Sequence, residues 1–304
     1  MKITGVTRDA SFSPNSNDWA IMEAVGKHLG DNGHQVDFIS EKDILEGVGD
    51  TDAIFSMARS SQALETLALC EKQGIPVINS TQGVLRCNRT IVTQLMIQAG
   101  LLVPPSQCFT VHDAPEVPSI AFPLWVKRAD QCAQVKEDVC FLSEKSQWAS
   151  TLKDFQHRQV ESIVLSQHLE GDIVKFYGVA PTGFFYWYYP TLAKGGHSKF
   201  GLEAVNGPAR QYPFNAPSLH TAIEEFAFRT GTWVYGGDCI IDNKGNYHII
   251  DFNDWPSFSP CREPASIAIA SLFEHLHEHF SRWQDMNNNG RPILHPDPLH
   301  STEP

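Results

Sequence analysis

The sequence predicts an open α/β unit followed by two α+β lobes. Three observations carry that expectation. As far as Asn79, short apolar runs alternate with helix-length amphipathic stretches. Past the Pro104-Pro105 breaker the pattern changes to short strands and hairpins around single helices, and the segment from Tyr235 to Pro256 reads as a tight acidic hairpin. The boundaries expected from these changes are 1–85, 86–168 and 169–304.

In the first unit Lys2 to Thr7 reads as a strand, Asn17 or Asp18 caps a helix from Trp19 to Asn32, and Gln35 to Ile39 is a second strand. Ala53 to Met57 is a third strand, Gln62 to Gln73 a helix closed by Gly74, and Pro76 to Asn79 a fourth strand. Such alternation gives a parallel sheet whose ligand-facing edge is the carboxyl ends of its strands. The loops leaving those ends carry Arg8 with Ser11 to Asn17, Arg59 between Met57 and Ser61, and Asn79-Ser-Thr81. Arg8 and Arg59 stand where an anionic small molecule could be clamped, the alternative being solvated loop arginines. No GxGxxG follows the first strand, which counts against a dinucleotide-binding domain.

Asn88 to Ala99 is helical and closed by Gly100. Phe122-Pro-Leu-Trp-Val-Lys127 is a strand ending in a lysine, Cys140 to Leu142 pairs with it, Ser146 to Arg158 is a helix, and Ser162 to His168 is another strand before a turn at Leu169-Glu-Gly-Asp172. Ile173 to Val179 and Gly183 to Tyr189 form a hairpin across Pro181-Thr182, and the aromatic run from Phe184 to Tyr189 reads as sheet packing. Pro217 to Thr230 is helical, Pro264 to Phe280 is a helix capped by Glu263, and Asp285 to Pro304, rich in Asn, Pro and His, reads as a loose tail.

The acidic hairpin can be counted out. Val234 to Asp242 and Tyr247 to Phe252 are apolar-rich runs joined by Asn243-Lys-Gly-Asn246, which has short-hairpin chemistry. Pairing Asp242 with Tyr247 places Asp238 opposite Asp251. Opposed residues share a face with Cβ atoms about 4.5–5.5 Å apart, so two bare carboxylates there repel, and something positive is required between them. A hard divalent cation, Mg²⁺ with Mn²⁺ as the alternative, satisfies that requirement through oxygen ligands, and Asn253 returns to the same face with an amide oxygen.

Composition narrows the function class. At 304 residues, 42% hydrophobic and 19% charged, the chain is an ordinary globular one. No apolar run approaches the ~18–20 residues of a membrane helix, so no membrane partner is expected. The amino end opens as a strand rather than a signal peptide, so a cytoplasmic location is expected. The 7 cysteines are scattered without a CxxC, which indicates neither a disulfide framework nor a zinc site. A formal net charge of −12 argues against a nucleic-acid surface.

Taken in order, these segments resemble the ATP-grasp superfamily over residues 79 to about 270, nearest to the RimK-like ligases and the inositol polyphosphate kinases. The Asp238…Asp251-Phe-Asn253 pattern is similar to the family's metal-binding signature. The resemblance implies ATP as cofactor. It puts Arg89 at a phosphate-contacting position, Lys127 on the α- and β-phosphates, and Lys175 on the terminal phosphate. Val164 to Gly171 resembles the hinge, where backbone groups near Gln167, His168 and Leu169 read the adenine and Glu170 or Asp172 meets the ribose. One departure is plain: Arg128 to Asp138, where many members carry a glycine-rich lid, contains no glycine, and Gln131 and Gln134 are the donors it offers instead.

For the acceptor the sequence offers His197 and Lys199 beside Gly195-Gly196, then Arg210, and Arg262, which could bind a carboxylate or acyl phosphate bidentately. A small anionic acceptor is expected, and a homodimer is one option for the assembly. The commonest chemistry of the fold implies a ligase that activates a carboxylate as an acyl phosphate and joins it to an amine or thiol, with Lys175 and Arg262 as its catalytic groups. A small-molecule kinase of the inositol-phosphate type and a non-catalytic nucleotide-binding regulator are the alternatives.

Overall fold

The protein is described from a computed structural model covering residues 1–9, 17–130, 133, 135–192 and 202–288. Three four-stranded sheets organise it. The first is parallel, in the order β2-β1-β3-β4, from β1 (Lys2–Thr7), β2 (Gln35–Ser40), β3 (Ala53–Ser56) and β4 (Val77–Ile78). Helices α1 (Asn17–Asp31) and α2 (Ser61–Lys72) alternate with these strands as the pattern predicts. Ser60 caps α2 by accepting from the Ala63 N–H, and Gly74, at φ +86°, takes the left-handed position just past its end. Glu41 is 3% exposed and ties the carboxyl ends of this sheet together, accepting from the backbone N–H groups of Asp9, Arg59 and Ser60.

Two short helices follow, α3 (Thr81–Arg86), which the sequence reading did not foresee, and α4 (Arg89–Gln98), capped by Asn88. The second sheet is antiparallel, β5-β8-β6-β7, built from β5 (Ser106–Thr110), β6 (Leu124–Arg128), β7 (Val139–Leu142) and β8 (Ser162–Gln167). Helix α5 (Trp148–His157) packs on it over a core that includes Val126, Trp148, Phe155 and Leu165. Strand β5 was also missed. It is a short, half-buried edge strand of mixed polarity, SQCFT, whose pairing with β8 comes from tertiary context rather than pattern.

The third sheet, β10-β9-β11-β12, comprises β9 (Asp172–Val179), β10 (Phe184–Tyr188), β11 (Val234–Ile241) and β12 (Tyr247–Asp254), all antiparallel. It is backed by α6 (Ala216–Thr230), whose Gly231 at φ +79° supplies the left-handed cap. The single helix read over Pro264–Phe280 is two, α7 (Arg262–Ser271) and α8 (Leu276–Asn288), joined through a tight turn at Leu272–Glu274. Helix α7 lies on α1 and α8 on α6, and one straight helix could not reach both. The chain that read as a loose tail from Asp285 is helical through Asn288, and Trp283, 6% exposed, packs beside Phe280 of the same helix and anchors α8 against Trp233.

The first and third sheets share one core, in which Phe55 meets Trp255 and Phe273. Asn79, 1% exposed, stitches them by donating to the Val234 carbonyl at 2.8 Å and accepting from the Val234 N–H at 2.7 Å. No helix among the described residues is long and apolar enough to cross a membrane.

Candidate nucleotide and metal site

The acidic hairpin turns one residue earlier than the count from sequence, with Ile241 opposite Tyr247 and Cys239 opposite Ile249. Continued regularly, that register would put Ile250 opposite Asp238 and turn Asp251 to the other face. A register shift between Asp238 and Cys239 leaves Ile250 without a cross-strand partner and brings Asp251 opposite Asp238 and Asn253 opposite Gly236. The expected pairing of carboxylates therefore holds, but through a bulge.

The positive charge that two facing carboxylates require is present in the protein itself. Lys175 on β9 lies directly opposite Asp238, its Nζ 2.9 and 3.1 Å from the two carboxylate oxygens. Arg89, at the start of α4, reaches toward Asp251 at 3.9 Å while donating to the Arg128 carbonyl at 2.6 Å. Lys127, at the end of β6, donates to the Ile250 carbonyl at 2.9 Å, the carbonyl that belongs to the bulge. Burial pushes the Lys127 ammonium down to about 8, Asp251 and Asp238 pull it back up, and Arg89 lowers it further. Between these groups is a narrow cleft with apolar walls from Val92, Met96 and Val164.

The donor set fits a hard divalent cation. Two carboxylates and an amide share one face, and among the described residues no third carboxylate, imidazole or thiol joins them, so further oxygens would come from phosphates and water. The Asn253 amide has no hydrogen-bond partner among the described residues.

At the hinge, the Gln167 N–H is taken by the Pro105 carbonyl and the His168 N–H by the Pro123 carbonyl, both within the second lobe. Of the three amides expected to face adenine, the Leu169 N–H is the one with no partner among the described residues. His168 accepts from Trp125 Nε1 at 3.1 Å through Nδ1, and Phe141 lies edge-on to its ring at 5.1 Å between centroids. Burial lowers the His168 pKa, and the bond from Trp125 fixes the neutral tautomer with its proton on Nε2. The aromatic lining by Trp125 and Phe141 escaped the sequence reading, although the spacing from Trp125 to Lys127 puts both on one face of the strand. Glu170 is exposed. Asp172, 3% exposed, is occupied with the Arg210 and Tyr212 N–H groups at 2.7 and 2.8 Å.

The acceptor candidates form a second group. Arg8 pairs with Asp18 at 3.2 Å, and Arg59 with the nearly buried Asp254, next to Asn253, at 2.5 Å. Arg262 donates to Asn17 Oδ1 at 3.1 Å, and its buried Nε has no partner among the described residues. The Arg210 guanidinium turns onto the Tyr212 hydroxyl at 2.9 Å. His197, Lys199, Gln131 and Gln134 lie outside the described residues. On either side of residues 131–134, Arg128 pairs with Asp130 and Arg158 with the fully buried Asp138.

The aromatic run splits by face. Phe185 and Trp187 pack on the core side, against Phe176 and Phe214, as read from sequence. Tyr186 and Tyr188 instead pair across the ladder with Tyr177 and Lys175, which puts them on the carboxylate face.

Two antiparallel sheets that meet over a cleft, one bringing cations and the other paired carboxylates, are the architecture of the ATP-grasp fold. Comparison with solved structures shows that the chain has this fold. A D-alanine–D-alanine ligase from Bacillus anthracis complexed with ATP aligns over 95% of this chain and 100% of its own at 15% identity and a TM-score of 0.65. A second structure of that ligase aligns over the same shares at 14% identity and 0.66. A RimK domain ATP-grasp protein from Sphaerobacter thermophilus aligns over 89% of this chain and 98% of its own at 14% identity and 0.61. By sequence, neither a protein-family model nor any curated protein matches the chain.

Proposed function

We propose that this chain is an ATP-dependent ligase that converts a small-molecule carboxylate to an acyl phosphate and joins it to an amine or thiol. The observation that carries the reading is the convergence of Arg89 and Lys127 from one lobe with Lys175, Asp238, Asp251 and Asn253 from the other. A bound Mg²⁺, held by Asp238, Asp251 and Asn253, would neutralise charge on the phosphates. Lys127 and Arg89 bind the phosphate chain and orient it toward β9, and Lys175 meets the transferring phosphoryl group once Asp238 is taken by the cation. The acceptor carboxylate oxygen attacks the γ-phosphorus and ADP leaves. The nucleophile then attacks the acyl carbon, gives up its proton, and inorganic phosphate departs with the C–O bond's electrons.

A kinase reading draws on Asp251, an aspartate at a position that would hold a metal, and on Lys175. Against it, the carboxylate face beyond Lys175 presents phenols rather than the further cations a polyphosphate would need. A phosphorus NMR time course with MgATP and fractionated metabolite extract separates the two, with Asp251→Asn as the blank. Acceptor-dependent ADP plus free phosphate is the ligase outcome. ADP with a new phosphoester resonance would replace it with a kinase.

A further inference from the structure

Arg89 and Lys127 approach the third sheet from the β12 side, because Lys127 touches Ile250 and Arg89 points to Asp251. A phosphate chain held by them runs across Asp251 and Asp238 toward Lys175, so whatever receives the phosphoryl group lies over β9 and β10. What this face offers there is phenols. Tyr186 stands opposite Tyr177, and Tyr188 stands opposite Lys175. The rings make a continuous surface, with centroids 6.5 Å apart for Tyr177–Tyr186, 6.3 Å for Tyr177–Tyr188 and 6.0 Å for Tyr186–Tyr188.

The loop after β12 folds back over this surface. Phe258, at φ +48°, brings its ring to 5.5 Å from Tyr177, and Gly236 allows the approach of Pro256, since a Cβ there would meet Pro256 Cγ at 2.8 Å. All three tyrosines remain half-buried rather than sealed. Burial first, and then the neighbouring Tyr188, raise the Tyr177 pKa and keep that phenol protonated.

The geometry points to an aromatic subsite formed by Tyr177, Tyr186 and Tyr188 beside the Lys175–Asp238 pair, taking an acceptor that bears a neutral planar aromatic ring. The inference rests on the ligase reading for the word acceptor, but the subsite itself does not. A cationic group on these rings would face Lys175, and an anionic one would face Asp238. An aliphatic group would fill the space without the ring–ring contact that favours aromatic partners.

The test uses the full chain with Mg²⁺ and a non-hydrolysable ATP analogue. Binding of phenylacetate is compared with cyclohexylacetate, and of phenethylamine with cyclohexylethylamine, by ligand-observed NMR. At least one aromatic probe should bind about 2- to 10-fold more tightly than its saturated match. That preference should vanish in Tyr186→Leu and survive in Tyr186→Phe, which keeps the ring and serves as the folding control. Equal binding within both pairs, no binding of any probe, or an unchanged preference in Tyr186→Leu and Tyr188→Leu would overturn the subsite. Turnover in parallel samples, with MgATP in place of the analogue, reports on the other reading. A preference without any acceptor-dependent turnover sinks the ligase alone, and turnover without a preference sinks the subsite alone.

Discussion

Lys127 shows how much one side chain's surroundings alter its chemistry. Its ammonium is buried against a backbone carbonyl, and burial brings its pKa down to about 8 from 10.5. Below about 8 it is charged in both folded and unfolded chains, and its burial cost is fully present. As pH rises from about 8 to 10.5 the folded chain loses the proton first, so the residue's contribution to stability increases over that window. Nucleotide binding has the opposite sign, because phosphates bind the ammonium and not the amine. Affinity for MgATP by calorimetry should therefore fall by up to about tenfold per pH unit above pH 8, and Lys127→Arg should flatten that slope because guanidinium stays charged. An equal slope in both proteins would remove Lys127 from the phosphates. Lys175 makes a second prediction. It competes with a cation for Asp238, so Lys175→Met should tighten Mn²⁺ binding to the nucleotide-free protein about 2- to 5-fold by electron paramagnetic resonance, while turnover falls. Weaker Mn²⁺ binding would mean that Asp238 is not a ligand.

At the scale of elements, the bulge in β12 decides the site, since it turns Asp251 and Asn253 onto the face of Asp238. The sequence reading reached the same pairing from a hairpin closed one residue too late, and the displaced turn happened to offset the unseen bulge. Strands β1 and β11 were legible as short apolar runs buried on both faces, and helices α2 and α6 as stretches whose buried residues recur at helical spacing. Strand β5, helix α3 and the break between α7 and α8 were not, because each is specified by what it packs against. Nor were the partners of Arg59 and Asp172, which lie far away in sequence and are found only by folding the chain. Asn79 is the clearest of these long-range fixtures. Asn79→Ala leaves the Val234 N–H buried and unpaired, while the Val234 carbonyl still accepts from Trp255. The expected loss is about 1–3 kcal/mol in urea unfolding, and a change within error would show that water replaces the amide.

The whole molecule divides its cohesion unequally. The first and third sheets are joined by a common apolar core and by Asn79, Ser80 and Arg86, whose hydrogen bonds reach Val234, Gly231 and Thr230. The second sheet has its own core with α5, and across the cleft it reaches the third through polar contacts, with Lys127 on Ile250 and Arg89, bound to the Arg128 carbonyl, near Asp251. Apolar burial outweighs a few charged hydrogen bonds in resisting separation, so the second sheet should open as a unit before the other two part. Native-state hydrogen exchange tests this: amides of β6 and β8 should exchange through an opening of lower free energy than those of β11 and β12. Adding Mg²⁺ and a non-hydrolysable ATP analogue should narrow the gap, because a ligand held by both lobes stabilises the closed arrangement by RT ln(1 + [L]/Kd), about 2.7 kcal/mol at a hundredfold excess over Kd. If the two sets exchange with one free energy and the analogue raises both equally, the lobes unfold as a single unit. The cleft would then owe its geometry to the shared fold rather than to the cations that span it.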